Sequence, residues 1–397
     1  MSKNSKDIVL TSALRTSVGK FGGIHKKLQA HELGSIVIKG ILKKTKLDPL
    51  EIDEVILGQV LPSLGGQNPA RQAAMGAGIP SESGATTINK MCGSGMKSIM
   101  FGHDSIKAQQ NNIVVAGGLE NMTNAPYILS KARKGFRMGH ADVKDHMFLD
   151  GLEDAYEEGK LMGSFAEDTA EHYQFTREQQ DNFAITSLER AKKANEDGTF
   201  ESEIVPIKVL NRKNEIIINK DEQPFKSDIT KIPTLKPAFR KNGTVTAANS
   251  SSISDGASSV ILMLESEAQK RGIKPLARII DHSTNSQEPK WFTTAPIGAI
   301  EKVLEKSGWK KTDVDLFEVN EAFAVVPMAV MKDIGISNDI LNIYGGACAL
   351  GHPVGASGTR IVTTLINALK KNNLKKGVAS LCIGGGEATA LTLEIIN

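Results

Sequence analysis

The sequence predicts an α/β protein made of two similar halves with an irregular segment inserted between them. Strand-like and helix-like stretches alternate through residues 7–118 and again through 275–396. The residues between them, 121–246, are more charged and less regular. The stretches 112–123 (NIVVAGGLENMT) and 378–390 (VASLCIGGGEATA) share an apolar strand, glycines and a glutamate, although two buried strands could also look alike by chance. Such alternation predicts a mixed sheet covered by helices on both faces.

Apolar periodicity assigns the individual elements. Strands are predicted at 7–13, 54–61, 84–89, 112–118, 275–283, 314–319, 378–383 and 388–396. Helices are predicted at 29–43, 69–77, 93–109, 177–195, 297–307 and 357–370. Between 245 and 265, small residues predict a turn and a helix start before an apolar strand. We therefore assign residues 1–120 with 247–272 to the first half, 121–246 to an inserted loop domain, and 273–397 to the second half.

Composition narrows the class of protein. The 397 residues are 40% hydrophobic and 23% charged, which is typical of a soluble globular chain. A net charge of +3 is too small to indicate a nucleic-acid partner, although it suits an anionic ligand if the basic residues cluster. The three cysteines form no disulfide spacing, the amino terminus is polar, and no apolar run approaches the roughly 18 residues of a membrane span. We expect a cytoplasmic protein with reduced thiols and no membrane association.

Cys92 lies in INKMCGSGMKS, between a predicted strand and a predicted helix. A thiol at the amino end of a helix is near unpaired backbone N–H groups, which lower its pKa and favour a nucleophile. The segment taken alone slightly favours the alternative, a buried packing cysteine, because free cysteine is among the most buried residue types. Both interpretations stay open at this point.

Three further polar residues occupy strand ends or glycine-rich loops. His352 lies in GGACALGHPVGASGTR, Cys382 ends an apolar strand before three glycines, and Asn320 directly follows another strand. Each has a structural alternative: a histidine in a tight turn, a core cysteine and a helix cap. Considered together with Cys92, they favour a cysteine-centred active site. Cys348 has no partner spacing, and we interpret it as a packing residue.

Eight ordered motifs carry a family resemblance that extends over nearly the whole chain. They are RTSVGKFGG (15–23), GGQNPARQA (65–73), NKMCGSGMKS (89–98), GGLENMT (117–123), GTVTAANSSSISDGA (243–257), NEAFA (320–324), GHPVGASG (351–358) and CIGGGEA (382–388). In these motifs the chain closely resembles the thiolase family, which comprises acetyl-CoA acetyltransferases and 3-ketoacyl-CoA thiolases. The resemblance implies a duplicated fold with layers in the order αβαβα, in which each half has a mixed five-stranded sheet.

The resemblance also implies the roles of the catalytic residues. Cys92 would accept the acyl group, and Cys382 would move the α-proton. His352 would activate Cys92 and later donate to a thioester oxygen, with Asn320 holding a water at the same oxygen. The backbone N–H groups of Cys92 and Gly384 would form a second oxyanion hole.

Other matched positions would contact the substrate. Leu161 stands where many short-chain members have histidine, which removes a polar wall from the acyl pocket, and Phe165 replaces a nearby threonine and could reshape the same region. The residues implied to bind coenzyme A or to shape the acyl pocket are Ser251, Lys226, Met162, Ala322, Phe323 and Leu161.

The implied reaction is the reversible Claisen condensation of two acetyl-CoA molecules, or the reverse thiolysis, through an acyl-cysteine. The alternatives are a degradative thiolase for longer 3-ketoacyl chains and a non-catalytic acyl-CoA or lipid-binding protein of thiolase shape. We predict no tightly bound cofactor and no metal site, with coenzyme A and acetyl-CoA as substrates. The family also implies a homo-oligomer, either a dimer or a tetramer.

Overall fold

The computed structural model describes residues 7–211 and 214–396. Residues 1–6, 212, 213 and 397, which the predicted domain ranges include, lie outside the described residues. The strands are β1 Ile8–Arg15, β2 Gly19–Lys20, β3 Glu54–Gly58, β4 Gly84–Ile88, β5 Ile113–Asn121, β6 Tyr127–Leu129, β7 Val143–Asp145, β8 Ile207–Asn211, β9 Asn214–Ile218, β10 Ser254–Leu264, β11 Ala277–Ser286, β12 Leu316–Val319, β13 Lys376–Ile383 and β14 Glu387–Ile395. The α-helices are α1 Ala30–Thr45, α2 Pro69–Gly76, α3 Ser94–Lys107, α4 Met162–Tyr173, α5 Arg177–Glu196, α6 Glu265–Lys270, α7 Ala295–Ser307, α8 Val325–Val330, α9 Ala347–Leu350 and α10 Val354–Lys371.

One large mixed sheet runs through both halves. Its strand order is β12-β13-β14-β11-β1-β10-β5-β3-β4, with β2 alongside β10. The pairs β3–β4, β3–β5 and β12–β13 are parallel, and the other neighbours are antiparallel. The halves join where β1 meets β11, through the pairs Val9–Arg278 and Leu10–Ala277. The predicted α/β fold is confirmed, and the sheets of the two halves are continuous through the β1–β11 pairing.

The halves have equivalent strand orders. Moving outward from the join, β1, β10, β5 and β3 correspond to β11, β14, β13 and β12. The two similar sequence stretches thus form equivalent strands, β5 and β13, which supports duplication over chance similarity.

The second half departs from the expected five strands. In place of a full counterpart to β4 it has one parallel bridge between Phe317 and Leu341. Asn342 follows with a left-handed backbone, and its side-chain amide bonds both the N–H and the C=O of Val319. This side chain occupies the groups that a longer strand would pair with, so the strand ends after one bridge.

The helices form layers on either side of the sheet. An inner layer consists of α3 and α10, which pack in one core cluster with strands from both halves. The outer layers are α1 with α2 on the first half and α7 with α8 on the second. Every residue of α10 from Val354 to Ile366 is buried, as expected for a helix covered on all sides.

The inner helices approach each other closely at two glycines. A Cβ at Gly95 would lie 2.9 Å from the carbonyl oxygen of Gly355, and one at Gly358 would collide with the backbone of Met96. The Thr359 hydroxyl donates to the Gly95 carbonyl at 2.8 Å. Only glycine permits this spacing between α3 and α10.

The inserted segment contains the hairpins β6–β7 and β8–β9, the helices α4 and α5, and short irregular turns. Helix α5 begins after Thr176, whose side chain forms a capping box with Gln179. The buried guanidinium of Arg15, in the first half, donates to Glu203 and Asp221 at 2.6 Å each. This network anchors the segment to the core.

The helix start predicted within 245–265 is wrong, because residues 245–253 are irregular and lead directly into β10. Among the described residues, none of the helices combines the length and the apolar character needed to cross a bilayer.

Candidate active site

A cavity of about 450 Å³ brings together seven of the eleven residues selected from the sequence. They are Cys92, Leu161, Met162, Ser251, Ala322, Phe323 and His352. Lys226 lines a neighbouring cavity of about 290 Å³ that shares Gln223, Ala247 and Ser252 with the first. Cys382, Gly384 and Asn320 do not line either cavity, and their positions are described below.

Cys92 lies on a tight turn between β4 and α3. Met91, just before it, has a left-handed backbone with φ of 47°, which is uncommon for a residue with a side chain. The Ser94 hydroxyl closes the turn, because it donates to the Met91 carbonyl at 2.6 Å and accepts from the Lys90 N–H at 2.8 Å. The predicted strand-to-helix turn is confirmed, and it presents the Cys92 side chain to the cavity.

The electrostatics of Cys92 differ from the sequence expectation. Burial raises the pKa of its thiol to about 11, against hydrogen bonds from the N–H groups of Gly384 and Cys92 that lower it. The expected net lowering is wrong, because desolvation of the thiolate outweighs the nearby N–H groups. These two N–H groups converge on the sulfur, and Cys92 therefore needs a base to become a nucleophile at neutral pH.

His352 has the protonation state that such a base requires. Its Nδ1 lies 2.6 Å from the Ser357 hydroxyl, which donates its own hydrogen to the Pro353 carbonyl at 3.0 Å. The hydroxyl must therefore accept from Nδ1–H, which leaves a lone pair on Nε2. Among the described residues, Nε2 has no hydrogen-bond partner. Burial, reinforced by the charge of Arg360, lowers the pKa of His352 to about 3, so the imidazole is neutral at pH 7.

Cys382 occupies the end of β13, close to the first thiol. It is fully buried, and burial together with the charge of Cys92 raises the pKa of its thiol well above the usual value. The following turn has left-handed backbone at Gly385 and Gly386, with φ of 95° and 90°. A Cβ at Gly384 would lie 3.3 Å from the Met162 sulfur, so Gly384 adjoins the cavity wall.

Asn320 follows β12 and is completely buried. Its backbone N–H donates to the Ser380 carbonyl at 3.0 Å, which ties it to the strand that carries Cys382. Neither its side-chain oxygen nor its side-chain nitrogen has a partner among the described residues. Buried polar atoms are normally paired, so this amide is available to a water or a substrate group. The helix-cap alternative does not apply, because α8 begins only at Val325, after Ala324.

Aromatic side chains form much of the cavity wall. Phe323 lies edge to face with Phe239 and Phe292, with ring centroids 5.9 and 6.5 Å apart. Phe148 also lines this space. Phe165, which we expected to reshape the pocket, is buried in the core and packs against Phe292 at 6.4 Å. It thus supports the wall from behind, while Leu161 lines the cavity directly.

Sequence reasoning missed two supporting residues. One is Ser357, whose hydroxyl orients the His352 ring. The other is Glu120, whose buried carboxylate accepts N–H groups from Val60, Leu61 and Gly355 at 2.9, 3.1 and 2.9 Å. It thereby fixes the first turn of α10, next to His352. The available signal was a glutamate within the last residues of a buried, otherwise apolar strand.

Cys348 is partly buried and lines the smaller cavity beside Lys226. Its backbone N–H donates to the carboxylate of Glu321 at 3.1 Å. From the sequence we interpreted Cys348 as a packing residue. In the structure it also forms part of a cavity wall.

Comparisons with known proteins match this architecture. Residues 8–266 match the family model for the thiolase N-terminal domain, and residues 273–395 match that for the thiolase C-terminal domain. A probable acetyl-CoA acetyltransferase of Dictyostelium discoideum is 48% identical over 99% of this chain and 95% of its own length. The acetyl-CoA acetyltransferase of Cupriavidus necator is 46% identical over 98% and 99% of the two chains. The crystal structure of the Bacillus anthracis acetyl-CoA acetyltransferase superimposes with a TM-score of 0.95 at 41% identity, covering 98% of this chain and 99% of that one. The chain therefore belongs to the thiolase family.

Proposed function

We propose that this protein is an acetyl-CoA acetyltransferase, which condenses two acetyl-CoA molecules to acetoacetyl-CoA and CoA or runs the reverse thiolysis. The observation that carries the proposal is a thiol, Cys92, in one cavity with the unprotonated Nε2 of His352, backed by the second thiol, Cys382. Full-length relatives named acetyl-CoA acetyltransferase support the same reaction.

Thiolysis begins with proton transfer from the Cys92 thiol to Nε2 of His352. The Cys92 sulfur then attacks the C3 carbonyl of acetoacetyl-CoA. As the C2–C3 bond breaks, its electron pair goes to C2 and forms the enolate of acetyl-CoA, while the acetyl group remains on Cys92. Cys382 donates a proton to C2, and acetyl-CoA leaves. In the second half-reaction, the thiol of free CoA gives its proton to the Cys382 thiolate and attacks acetyl-Cys92. The Cys92 thiolate leaves and takes back the proton from Nε2 of His352, and a second acetyl-CoA forms.

Two sets of donors stabilise the negative oxygens. The enolate oxygen would accept from protonated His352 and from a water held by Asn320. The tetrahedral oxygen on the Cys92 acyl group would accept from the N–H groups of Cys92 and Gly384, which already point at the sulfur. Each such donor contributes roughly 3–4 kcal/mol to transition-state stabilisation.

The two adjoining cavities divide the substrate between them. The larger would hold the acyl group against Met162, Ala322 and Phe323 and the pantetheine arm beside Ser251. The smaller, with Lys226 on its wall, would hold the anionic end of CoA. In this scheme CoA enters and leaves as a substrate, and the enzyme has no tightly bound cofactor.

The test is a thiolysis assay with acetoacetyl-CoA and CoA that follows loss of the 3-ketoacyl thioester. We expect turnover with ping-pong kinetics, because the acyl-enzyme forms before CoA enters. Binding of acetoacetyl-CoA without turnover would instead identify a non-catalytic acyl-CoA-binding protein.

A thiolase for longer 3-ketoacyl chains is the second candidate. The apolar cavity wall, with Leu161 and the aromatic side chains beside it, favours this alternative. Measuring kcat/KM for 3-ketoacyl-CoA substrates of increasing chain length distinguishes the two candidate enzymes. A maximum well above four carbons would identify the thiolase for longer chains and contradict the acetyl-specific assignment.

We further propose that the enzyme acts in the cytoplasm as a homo-oligomer. Free thiols at Cys92, Cys348 and Cys382 are consistent with a reducing compartment. Light scattering on the purified protein would distinguish a dimer from a tetramer and would contradict the proposal if it gave a monomer.

A further inference from the structure

A second cluster of polar side chains lies towards the far end of α3 from Cys92. His103 and Asp104 are adjacent on this helix, and His282 projects from β11. The Asp104 Oδ1 atom lies 3.1 Å from Nδ1 of His103 and 2.9 Å from Nε2 of His282. The two imidazole rings meet edge to face, with centroids 5.0 Å apart.

These atoms form a compact set of metal donors. One ligand atom from each residue lies within 4.8 Å of the other two. Zn²⁺ binds imidazole nitrogen and carboxylate oxygen at about 2.0–2.2 Å in tetrahedral geometry, so its ligand atoms lie a little over 3 Å apart. The observed spacing therefore requires only small side-chain adjustments.

Burial holds the donors in place while leaving a path for the ion. The side chains of His103 and His282 are only 9% and 13% exposed, whereas that of Asp104 is 53% exposed. Two lysines lie near the cluster. Lys306, on the adjoining helix α7, pairs with Asp281 at 2.7 Å, so its charge is compensated. Lys107, on α3 itself, acts on His103 through its positive charge.

We propose that His103, Asp104 and His282 bind one Zn²⁺ ion, with water as the fourth ligand. The ion would link α3 in the first half to β11 in the second half, apart from the catalytic cavity. Its role would be to stabilise the fold, because an ion that binds only the folded state raises the free energy of unfolding. The sequence predicts no metal site here, since Asp104 and His282 are separated by 178 positions.

The experiment is calorimetric titration of chelator-treated, full-length protein with Zn²⁺ alone. The variants are His282→Ala and Asp104→Asn, and His140→Ala is the control because it removes an exposed histidine of the inserted segment. We expect wild type and His140→Ala to bind one more equivalent of Zn²⁺ than His282→Ala. Asp104→Asn should weaken this site by more than about tenfold, since even loss of an outer-shell partner costs that much. Any Zn²⁺ at the catalytic thiols is common to all four proteins and cancels in the comparison.

Thermal unfolding gives the second measurement. Added Zn²⁺ should raise the melting temperature of wild type and His140→Ala, and raise it less in the other two variants. Asp104→Asn changes a half-exposed side chain, so it tests the site even if His282→Ala fails to fold. Equal Zn²⁺ stoichiometry and equal affinity in wild type and both cluster variants would overturn the proposal.

Discussion

The Lys90 ammonium lies 2.6 Å from the Glu387 carboxylate and joins the turn that carries Cys92 to the strand that follows Cys382. Both side chains are partly exposed, at 21% and 32%. Glu387 also accepts from the Ser286 hydroxyl at 3.1 Å. The ion pair therefore bridges the two chain segments whose N–H groups face the Cys92 sulfur.

We predict that Lys90→Met or Glu387→Gln lowers kcat about tenfold with little effect on folding. A misplacement of 1 Å costs up to roughly 100-fold in rate, whereas a partly exposed ion pair contributes only about 1 kcal/mol or less to stability. Steady-state thiolysis and urea unfolding measure the two effects separately.

The exposed pair Lys193–Asp197, 2.9 Å apart on the surface, provides the matched control. Lys193→Met should leave kcat unchanged, and the swapped pair Lys90→Glu with Glu387→Lys should recover part of the lost rate. If Lys90→Met and Lys193→Met had the same kcat, the positioning role would be excluded.

Ser357→Ala should lower kcat by less than the roughly 10²–10⁴-fold that a general base supplies. Loss of the hydroxyl frees Nδ1 and allows the His352 proton to move to Nε2, where it blocks acceptance of the Cys92 proton. Nitrogen NMR of labelled histidine reports the tautomer directly. Ser283→Ala removes another buried hydroxyl, which donates to the Ala299 carbonyl, and serves as the control. An unchanged tautomer in Ser357→Ala would contradict the assignment.

An acyl-labelling experiment should distinguish the roles of the two thiols. We expect Cys92→Ser to lose turnover and to take up no acetyl group from acetyl-CoA. Cys382→Ser should still be acetylated but fail in condensation, because it lacks the group that moves the α-proton. Mass spectrometry of the intact protein distinguishes these outcomes. Equal acetylation of wild type and Cys92→Ser would falsify the nucleophile assignment.

Glu318 gives a prediction about stability and pH. Burial raises its pKa from the usual 4.5 to about 8, and the nearest guanidinium nitrogen of Arg360 is 3.7 Å away. The folded state therefore retains a proton that the unfolded state releases, so this contribution is complete below about pH 4.5 and is lost as the pH rises through 8. Glu318→Gln keeps the neutral form and should flatten the decline in unfolding free energy between pH 5 and 8.

Urea denaturation across this pH range tests the Glu318 prediction. Glu305→Gln, at an exposed position on α7, is the control and should follow the wild-type curve. A Glu318→Gln curve parallel to wild type would show that Glu318 is ionised throughout.

Leu161→His should shift preference towards short acyl chains. Replacing an apolar wall residue by a polar one weakens contact with each added methylene, and one methylene is worth roughly 10- to 200-fold in specificity. The measurement is the ratio of kcat/KM for 3-ketohexanoyl-CoA to that for acetoacetyl-CoA. A ratio unchanged from wild type would mean that Leu161 does not contact the acyl chain.

The sequence predicts the fold class and the cluster of Cys92, His352 and Cys382 because local signals mark them. Each lies on a glycine-rich turn or at the end of an apolar strand. The ion pair of Lys90 and Glu387 could not be found in this way, because the two residues are 297 positions apart.

The direction of the pKa shift at Cys92 also could not be predicted from the sequence. The helix start beside Cys92 indicates a lowered thiol pKa, but the depth of burial decides the sign, and burial depends on packing from both halves. The short pairing at Leu341 is a similar case, because it depends on where the Asn342 side chain bonds.

The glycine contact between α3 and α10 sets the distance between the two reactive groups. Cys92 precedes one of these helices and His352 precedes the other, so the closeness of the helix axes sets how far the sulfur is from its base. The nucleophile belongs to one repeat and the base to the other, and neither repeat alone contains a working pair. A methyl group at Gly95 would therefore push the two repeats apart. It would separate the Cys92 sulfur from Nε2 of His352 without contacting either atom.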